Sequence, residues 1–225
     1  MSPVRVMKIT EAPDNCHPQP AVPMATFVIN KVATPMKITN LIPLAALLFA
    51  FSNLTAQQNF RLVKYDLTII GTSTLHDWET KANDVKVTGS WDNQGQLNGI
   101  QSLNVTIPVE KLKSSKGSIM DGKTYKALKS DKNPNVTFQL TGVKAITPTA
   151  KGYQLKTAGY LTIAGTKKLI DLTVDGEKLA DGSIRFTGSK ALKMTEYNVD
   201  PPVAMLGTLK TADDVTIEFS LTLAN

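Results

Sequence analysis

Residues 215–223, VTIEFSLTL, carry the pattern that decides the fold class of this chain. Apolar side chains occupy every second position of the stretch, and polar side chains occupy the positions between them. The apolar set is Val215, Ile217, Phe219, Leu221 and Leu223. Because successive side chains of a strand point to opposite faces of a sheet, this alternation predicts an antiparallel strand with one face buried and the other in water.

The same alternation recurs along most of the chain after residue 60. It is clear in SLNVTIPV (102–109), NVTFQLTG (135–142) and LIDLTVDG (169–176). Turn-forming residues at 92–95, 164–166 and 180–182 separate neighbouring runs at the distance expected of hairpins. The pattern predicts eight strands, near 60–72, 76–91, 96–109, 134–147, 151–164, 167–178, 182–194 and 212–224.

The length and order of these strands point to an architecture. Several run to 12 or more residues, well above the usual length of about five or six. Long strands that follow one another through hairpins favour an up-and-down barrel. A β-sandwich is the alternative, although its strands are usually shorter and joined in Greek-key order. We therefore expect an all-β fold, an eight-stranded antiparallel barrel.

The connection at 110–133 breaks the alternation and carries good helix formers, which predicts a short helix near 119–130. Seven lysines lie in it, against three acidic residues. They are Lys111, Lys113, Lys116, Lys123, Lys126, Lys129 and Lys132. Two interpretations stay open: a solvated helix face, or a basic rim for an anionic head group or a membrane surface.

The segment from Met36 to Ala56 has the layout of a secretory signal peptide: a basic Lys37, an apolar stretch from Leu41 to Phe51, and a small residue before a polar run. The apolar stretch is 11 residues long, whereas a helix needs about 20 to span a bilayer. A buried core helix is the alternative. Residues 1–35 are rich in proline, and we interpret them as a disordered segment created by a start codon assigned too early. The expected location is periplasmic or secreted.

The expected mature chain, residues 57–225, is long enough for one domain with a sizeable core. It carries 21 basic and 17 acidic residues, a net charge of +4, which does not by itself indicate a nucleic-acid partner. The single cysteine of the sequence, Cys16, lies upstream of this range, so residues 57–225 contain none. No disulfide framework is therefore expected, and the core alone must stabilise the fold.

The stretch GTSTLHDW (71–78) brings Ser73, His76 and Asp77 close together and raises the question of catalysis. On a strand, His76 and Asp77 would point to opposite faces, and Ser73 has the opposite parity to His76, so no local relay forms. With one histidine and no cysteine in 57–225, a metal site is not expected either. We expect His76 and Trp78 to share a strand face near a barrel end, either packing in the core or contacting a ligand.

Several segments resemble the YceI-like family of bacterial lipid- and polyisoprenoid-binding barrels. They are LKSDKNPNVTFQLTGV (128–143), GYLTIAGTKKLIDLTV (159–174) and DDVTIEFSLTL (213–223), in that order along the chain. GTSTLHDWE resembles a variant of the family's opening region and departs from its commoner pattern. The resemblance covers residues 60–225. It implies an elongated, lipocalin-like barrel whose apolar interior holds an isoprenoid lipid, a quinone or a similar amphiphile.

The resemblance and the apolar strand faces together predict which side chains line such a tube. They are Leu103, Val105, Phe138, Leu140, Leu161, Ile163, Leu172, Val174, Phe186, Ile217 and Phe219. For each of them, simple core packing is the alternative. Four residues are candidates for the mouth or a head-group site: His76, Trp78, Lys123 and Lys126.

The functional hypothesis is a binder or carrier of a long-chain amphiphile that is not an enzyme. It needs no metal or other cofactor, makes transient contact with an anionic membrane surface, and binds no nucleic acid. Two other classes remain: a periplasmic stress or structural protein whose barrel is filled by side chains, and a hydrolase or isomerase that uses His76. Turnover that is lost in His76→Ala would favour the latter.

Overall fold

The computed structural model describes residues 57–204 and 208–225; the segments 1–35 and 36–56 discussed above lie outside these ranges. The described strands are β1 Gln58–Asn59, β2 Arg61–Ser73, β3 Trp78–Ala82, β4 Lys86–Asn93, β5 Leu97–Pro108, β6 Leu112–Ser114, β7 Asn135–Thr149, β8 Gly152–Ile163, β9 Thr166–Lys178, β10 Ile184–Lys193, β11 Val203–Ala204 and β12 Leu209–Ala224. One α-helix, α1, spans Ser118–Ala127 within these ranges.

The strands form one curled antiparallel sheet in the order β1-β4-β5-β7-β8-β9-β10-β12-β2-β3-β6, and β11 pairs only with β12. Hairpins join β2 to β3, β4 to β5, β7 to β8, β8 to β9 and β9 to β10, and those of β4–β5, β8–β9 and β9–β10 turn where the turn residues predict. In the β8–β9 turn, Ala164 and Gly165 both have positive φ, 48° and 80°, which is what a two-residue turn needs to follow the twist of its strands. The all-β, antiparallel, sequentially hairpinned fold is confirmed.

The sheet curls back on itself, and its N-terminal segment takes part on both sides. β1 pairs with β4 at one edge, and the chain then passes through Phe60 directly into β2, which pairs with β12 and β3. The amide of Phe60 donates a hydrogen bond to the carbonyl of Gly89, at 3.3 Å. This continuous N-terminal segment links the edge strand β1 to β2, which is third from the other edge, an arrangement that fits a lipocalin-like barrel.

The expected number of eight strands is wrong, because eleven described strands follow the path of the sheet. The run expected at 76–91 is two strands: β3 pairs with β2 and β6, whereas β4 pairs with β5 and β1. Residues 83–85 separate them, where the amide of Asn83 bonds the carbonyl of Lys111, at 2.9 Å. His76 lies in the loop before β3, so the expected strand face shared with Trp78 is also wrong.

Aromatic side chains fill one end of the sheet. Trp91 is fully buried, and its ring centroid lies 5.3 Å from that of Phe60 and 6.3 Å from that of Phe186. Its indole Nε1 donates to Oδ1 of Asn225, the last residue, at 2.6 Å. A buried indole usually needs such an acceptor. This cluster closes the sheet at the end where the β4–β5 and β9–β10 hairpins turn.

The helix α1 lies at the opposite end, where it packs against β6. Asp121 is its buried anchor: Oδ1 accepts the amide of Ser114 at 2.7 Å, and Oδ2 lies 3.2 Å from Nζ of Lys113. The hydrogen bond from Ser114, followed by the nearby ammonium of Lys113, keeps the pKa of Asp121 below its usual value. The Tyr125 hydroxyl, which Lys113 contacts at 2.6 Å, and then Asp121 raise the pKa of Lys113. Both charges are therefore retained at neutral pH, and they hold α1 in place.

Candidate binding cavity

The curled sheet encloses a cavity of about 470 Å³ whose wall is almost entirely apolar. The volume falls in the range of small-molecule sites, about 300–1,000 Å³. Its wall follows β12 from Leu209 at one end to Leu223 at the other, which is roughly 46 Å of strand at about 3.3 Å per residue. The interior is thus long and narrow, a shape suited to a chain.

All eleven residues expected at the lining contribute to the cavity wall. Five of them are buried: Val105, Leu161, Ile163, Val174 and Phe186. Six are half-buried: Leu103, Phe138, Leu140, Leu172, Ile217 and Phe219. All of the half-buried residues except Leu140 also pack against the core cluster, so the wall is continuous with the core. Their part in binding a lipid stays a prediction.

Glycines on neighbouring strands leave room for the aromatic rings of the wall. Phe219 lies against its cross-strand partner Gly188, where an added Cβ would stand 2.7 Å from the ring. The ring of Phe138 covers Gly159 in the same way, and the indole of Trp78 covers Gly71. Because each ring lies in the space that a side chain would fill, it stays at the wall instead of crossing the interior.

The mouth of the cavity is formed by the loop after β2, the inner face of α1 and the segment around β11. Of the four residues expected there, His76, Trp78 and Lys123 line the cavity. The indole Nε1 of Trp78 donates to the carbonyl of Thr72 at 3.2 Å. Lys126 is exposed on α1 and is not part of the wall. The helix turns it outward, which the lysine count alone could not show.

Ser73 and His76 are close in space but do not form a catalytic relay. The Ser73 hydroxyl donates to the backbone carbonyl of His76 at 2.7 Å and accepts the amides of Leu75 and His76, each at 3.3 Å. The Nδ1 atom of His76 lies 2.8 Å from the carbonyl of Asp77. The serine therefore closes a turn, whereas a nucleophile would need to contact the imidazole ring. Within 57–204 and 208–225, no group of three or more potential metal ligands occurs.

A short segment between β10 and β11 covers another part of the mouth. Tyr197 in this segment is 1% exposed and lines the cavity, and its burial raises the pKa of its hydroxyl. Asp213 holds the segment: its carboxylate accepts the amide of Thr195 at 2.8 Å and the hydroxyl of Thr195 at 2.7 Å. Both hydrogen bonds lower the pKa of Asp213, and the bond from the Thr195 hydroxyl has the larger effect.

Part of the cavity wall was not predicted from the sequence. Two further lysines, Lys190 on β10 and Lys210 on β12, line the cavity, as does the α1 face that carries Met120 and Ala127. A signal for Lys190 was present, because it has the same strand parity as Phe186, which was expected inside. The helix face had no such signal, since its register against the sheet depends on tertiary contacts.

A family model described as YceI-like domain matches residues 74–223, two thirds of the chain. The chain belongs to the YceI-like family. The match includes β3, α1, the whole β7–β9 meander and nearly all of β12. Among curated proteins, none matches the chain.

Several solved structures share the fold. Burkholderia cenocepacia BcnA is 18% identical, with a TM-score of 0.57 over 73% of this chain and 100% of its own. A polyisoprenoid binding domain from Saccharophagus degradans, implicated in plant cell wall breakdown, is 12% identical, with a TM-score of 0.57 over 75% and 97%. A Campylobacter jejuni YceI protein is 20% identical, with a TM-score of 0.50 over 64% and 82%. At these identities the similarity shows the fold alone.

Proposed function

We propose that this protein binds and carries one molecule of a long-chain amphiphile, a polyisoprenoid or a similar lipid, inside the curled sheet, without catalysing its conversion. The observation that carries the proposal is the cavity of about 470 Å³, closed by the Trp91 cluster at one end and bordered by α1 and Trp78 at the other. The name of the Saccharophagus relative, a polyisoprenoid binding domain, supports the same class of ligand.

The energetics favour a long apolar chain over a small ligand. Each CH₂ group removed from water contributes about 0.8 kcal/mol. Association costs roughly 4–15 kcal/mol in lost translational and rotational freedom. A chain of ten or more buried carbons offsets much of that cost or all of it, whereas a short ligand does not. An interior filled by side chains, the alternative raised by the sequence, would leave no cavity of this size.

Mass spectrometry of an organic extract tests this proposal. The full chain is purified from a bacterial host without detergent, and the extract is compared with that of the variant Leu172→Trp, which narrows the cavity. The expected result is one isoprenoid, quinone or similar lipid enriched in the wild-type extract and depleted in the variant. Equal extracts, together with no uptake of added lipid, would contradict the proposal.

We also propose that the mouth docks on an anionic membrane, from which the ligand enters. Leu75 and Val203 line the cavity and are 65% and 61% exposed. They lie on adjacent segments, because the amide of Thr74 bonds the carbonyl of Lys210, the cross-strand partner of Val203. Exposed apolar side chains beside lysines are typical of surfaces that insert into charged interfaces. None of the helices within 57–204 and 208–225 is long and apolar enough to span a bilayer.

A vesicle-binding assay measures this contact. We expect binding to phosphatidylglycerol vesicles that weakens as salt rises, since each lysine near an anionic surface contributes about 1 kcal/mol and the Debye length is about 8 Å at physiological ionic strength. The double variant Leu75→Ser, Val203→Ser should bind at least about threefold more weakly. Leu169→Ser, which removes a 59% exposed leucine from the outer face of β9, is the control. Equal binding to phosphatidylcholine and phosphatidylglycerol vesicles would show that the lysines form only a solvated surface and do not select anionic membranes.

Export is part of the same proposal. The signal-peptide layout of residues 36–56 is the observation behind it. N-terminal sequencing of the exported protein is expected to begin at or near Gln57. An exported chain that retains residues 1–35 would refute the assignment of Met36 as the start.

A further inference from the structure

The inner face of β10 carries one charged side chain. Phe186, Gly188, Lys190 and Leu192 share the inward parity of this strand, and Phe186, Lys190 and Leu192 line the cavity. Lys190 is half-buried, and its cross-strand partner on β12 is Ile217, itself a wall residue. An ammonium group therefore lies beside a wall that is otherwise apolar at this level.

The position of this lysine coincides with an opening in the sheet. β9 and β10 pair from Lys178 and Ile184 up to Val174 and Gly188, and no further pairs join them towards the mouth. Nζ of Lys190 donates across the gap to the backbone carbonyl of Asp171 on β9, at 3.2 Å. The ammonium thus stands at the border between the cavity and the gap.

The charge on Lys190 has no counter-ion in the described part of the chain. An ammonium has three N–H donors, and the Asp171 carbonyl is the acceptor that the described residues provide. No carboxylate of residues 57–204 or 208–225 forms an ion pair with it. The described residues of the cavity wall include Lys123, Lys190 and Lys210 but neither aspartate nor glutamate. A half-buried cation without a counter-ion is unfavourable, and an anion that arrives with the ligand would provide one.

We infer that Lys190 receives the anionic head group, a carboxylate or a phosphate, of the amphiphile whose chain lies along the apolar wall. This inference rests on the proposed lipid-binding function and names the class of ligand: a long-chain acid or an isoprenyl phosphate, in preference to a neutral alcohol or hydrocarbon. The two free N–H donors of Lys190 supply charge-assisted hydrogen bonds, which are stronger than those between neutral groups.

Matched pairs of ligands test the inference on the full-length chain after lipid extraction. Farnesyl phosphate is compared with farnesol, and hexadecanoate with hexadecanol, by isothermal titration. We expect the wild-type protein to bind the anionic member of at least one pair about tenfold more tightly, equivalent to about 1.4 kcal/mol. The pair that shows this ratio identifies the head group as phosphate or carboxylate.

Three variants assign the preference to Lys190. Lys190→Gln keeps an N–H donor but removes the charge, and the ratio of anionic to neutral affinity should fall to within about twofold. Lys190→Arg keeps the charge and should keep most of the ratio. Lys144→Gln removes an exposed lysine that contacts the side chain of Asp171 outside the cavity, at 2.6 Å, and should leave the ratio unchanged.

The outcomes separate this inference from the function on which it rests. If no member of either pair binds, the lipid-binding proposal itself fails. If neutral and anionic members bind equally to the wild type, binding stands and the head-group inference is wrong. A ratio that survives in Lys190→Gln also overturns the inference. If Lys190→Gln does not fold, the affinity ratios of the wild type and of Lys190→Arg still test the preference for an anionic head group.

Discussion

Replacing Leu172 by tryptophan is expected to lower the affinity for a long-chain probe at least about tenfold while leaving the protein folded. Leu172 is a half-buried wall residue on β9. Its cross-strand partner on β8 is Thr157, and the gap between β9 and β10 lies on its other side. An indole at this position enters the space that the ligand chain needs. Overpacking a filled core typically costs about 1–3 kcal/mol, and an open cavity should reduce that cost.

The matched control for Leu172→Trp lies on the same strand. Leu169 is 59% exposed on the outer face of β9, so Leu169→Trp makes the same chemical change outside the cavity. Its affinity for the probe should equal that of the wild type. Fluorescent-lipid titration and a melting curve on both variants provide the measurement. If the two variants bind alike, the cavity is not the binding site.

Trp91→Ala is expected to lower the free energy of unfolding by about 3–5 kcal/mol, the usual loss for a large buried aromatic side chain. The indole is fully buried between Phe60 and Phe186 and makes the hydrogen bond to Asn225. Its removal leaves a void at the closed end and an unpaired amide oxygen. Urea denaturation monitored by circular dichroism gives the change in free energy.

The chain provides its own comparison, since it contains two tryptophans. Trp78 at the mouth is half-buried and lies over Gly71, so Trp78→Ala should destabilise the fold less than Trp91→Ala does. It removes a wall residue, and ligand affinity should therefore change more than stability. A larger loss of stability from Trp78→Ala than from Trp91→Ala would mean that the closed end and the mouth are assigned the wrong way round.

The alternation of apolar residues was sufficient to predict the long strands and the residues inside them. In VTIEFSLTL, the positions expected on the buried face do line the cavity, because period two fixes the face once the strand exists. The hairpin turns likewise determined which strands are neighbours in the sheet, because each turn joins two strands that are consecutive in sequence. Strand existence, face and sequential pairing are properties that a short stretch of sequence determines.

What the sequence could not show depends on distant contacts or on very short elements. β1, β6 and β11 have two or three residues each, too few to display a period. The break between β3 and β4 arises because the two halves pair with different strands, which only the curled sheet makes necessary. Lys190 was overlooked because a lysine in an alternating strand is usually read as solvent-facing, although its parity places it inside.

Native mass spectrometry of the lipid-free chain, titrated with geranylgeraniol and with geranylgeranyl phosphate, counts the lipid molecules that bind one protein molecule. We expect a saturable complex of one lipid with one chain in the wild type and in Leu169→Trp, and its loss in Leu172→Trp. A wild-type protein that remains unbound at saturating lipid, or one that binds several molecules equally well in all three forms, would contradict the claim that the curled sheet encloses a binding site for one long chain.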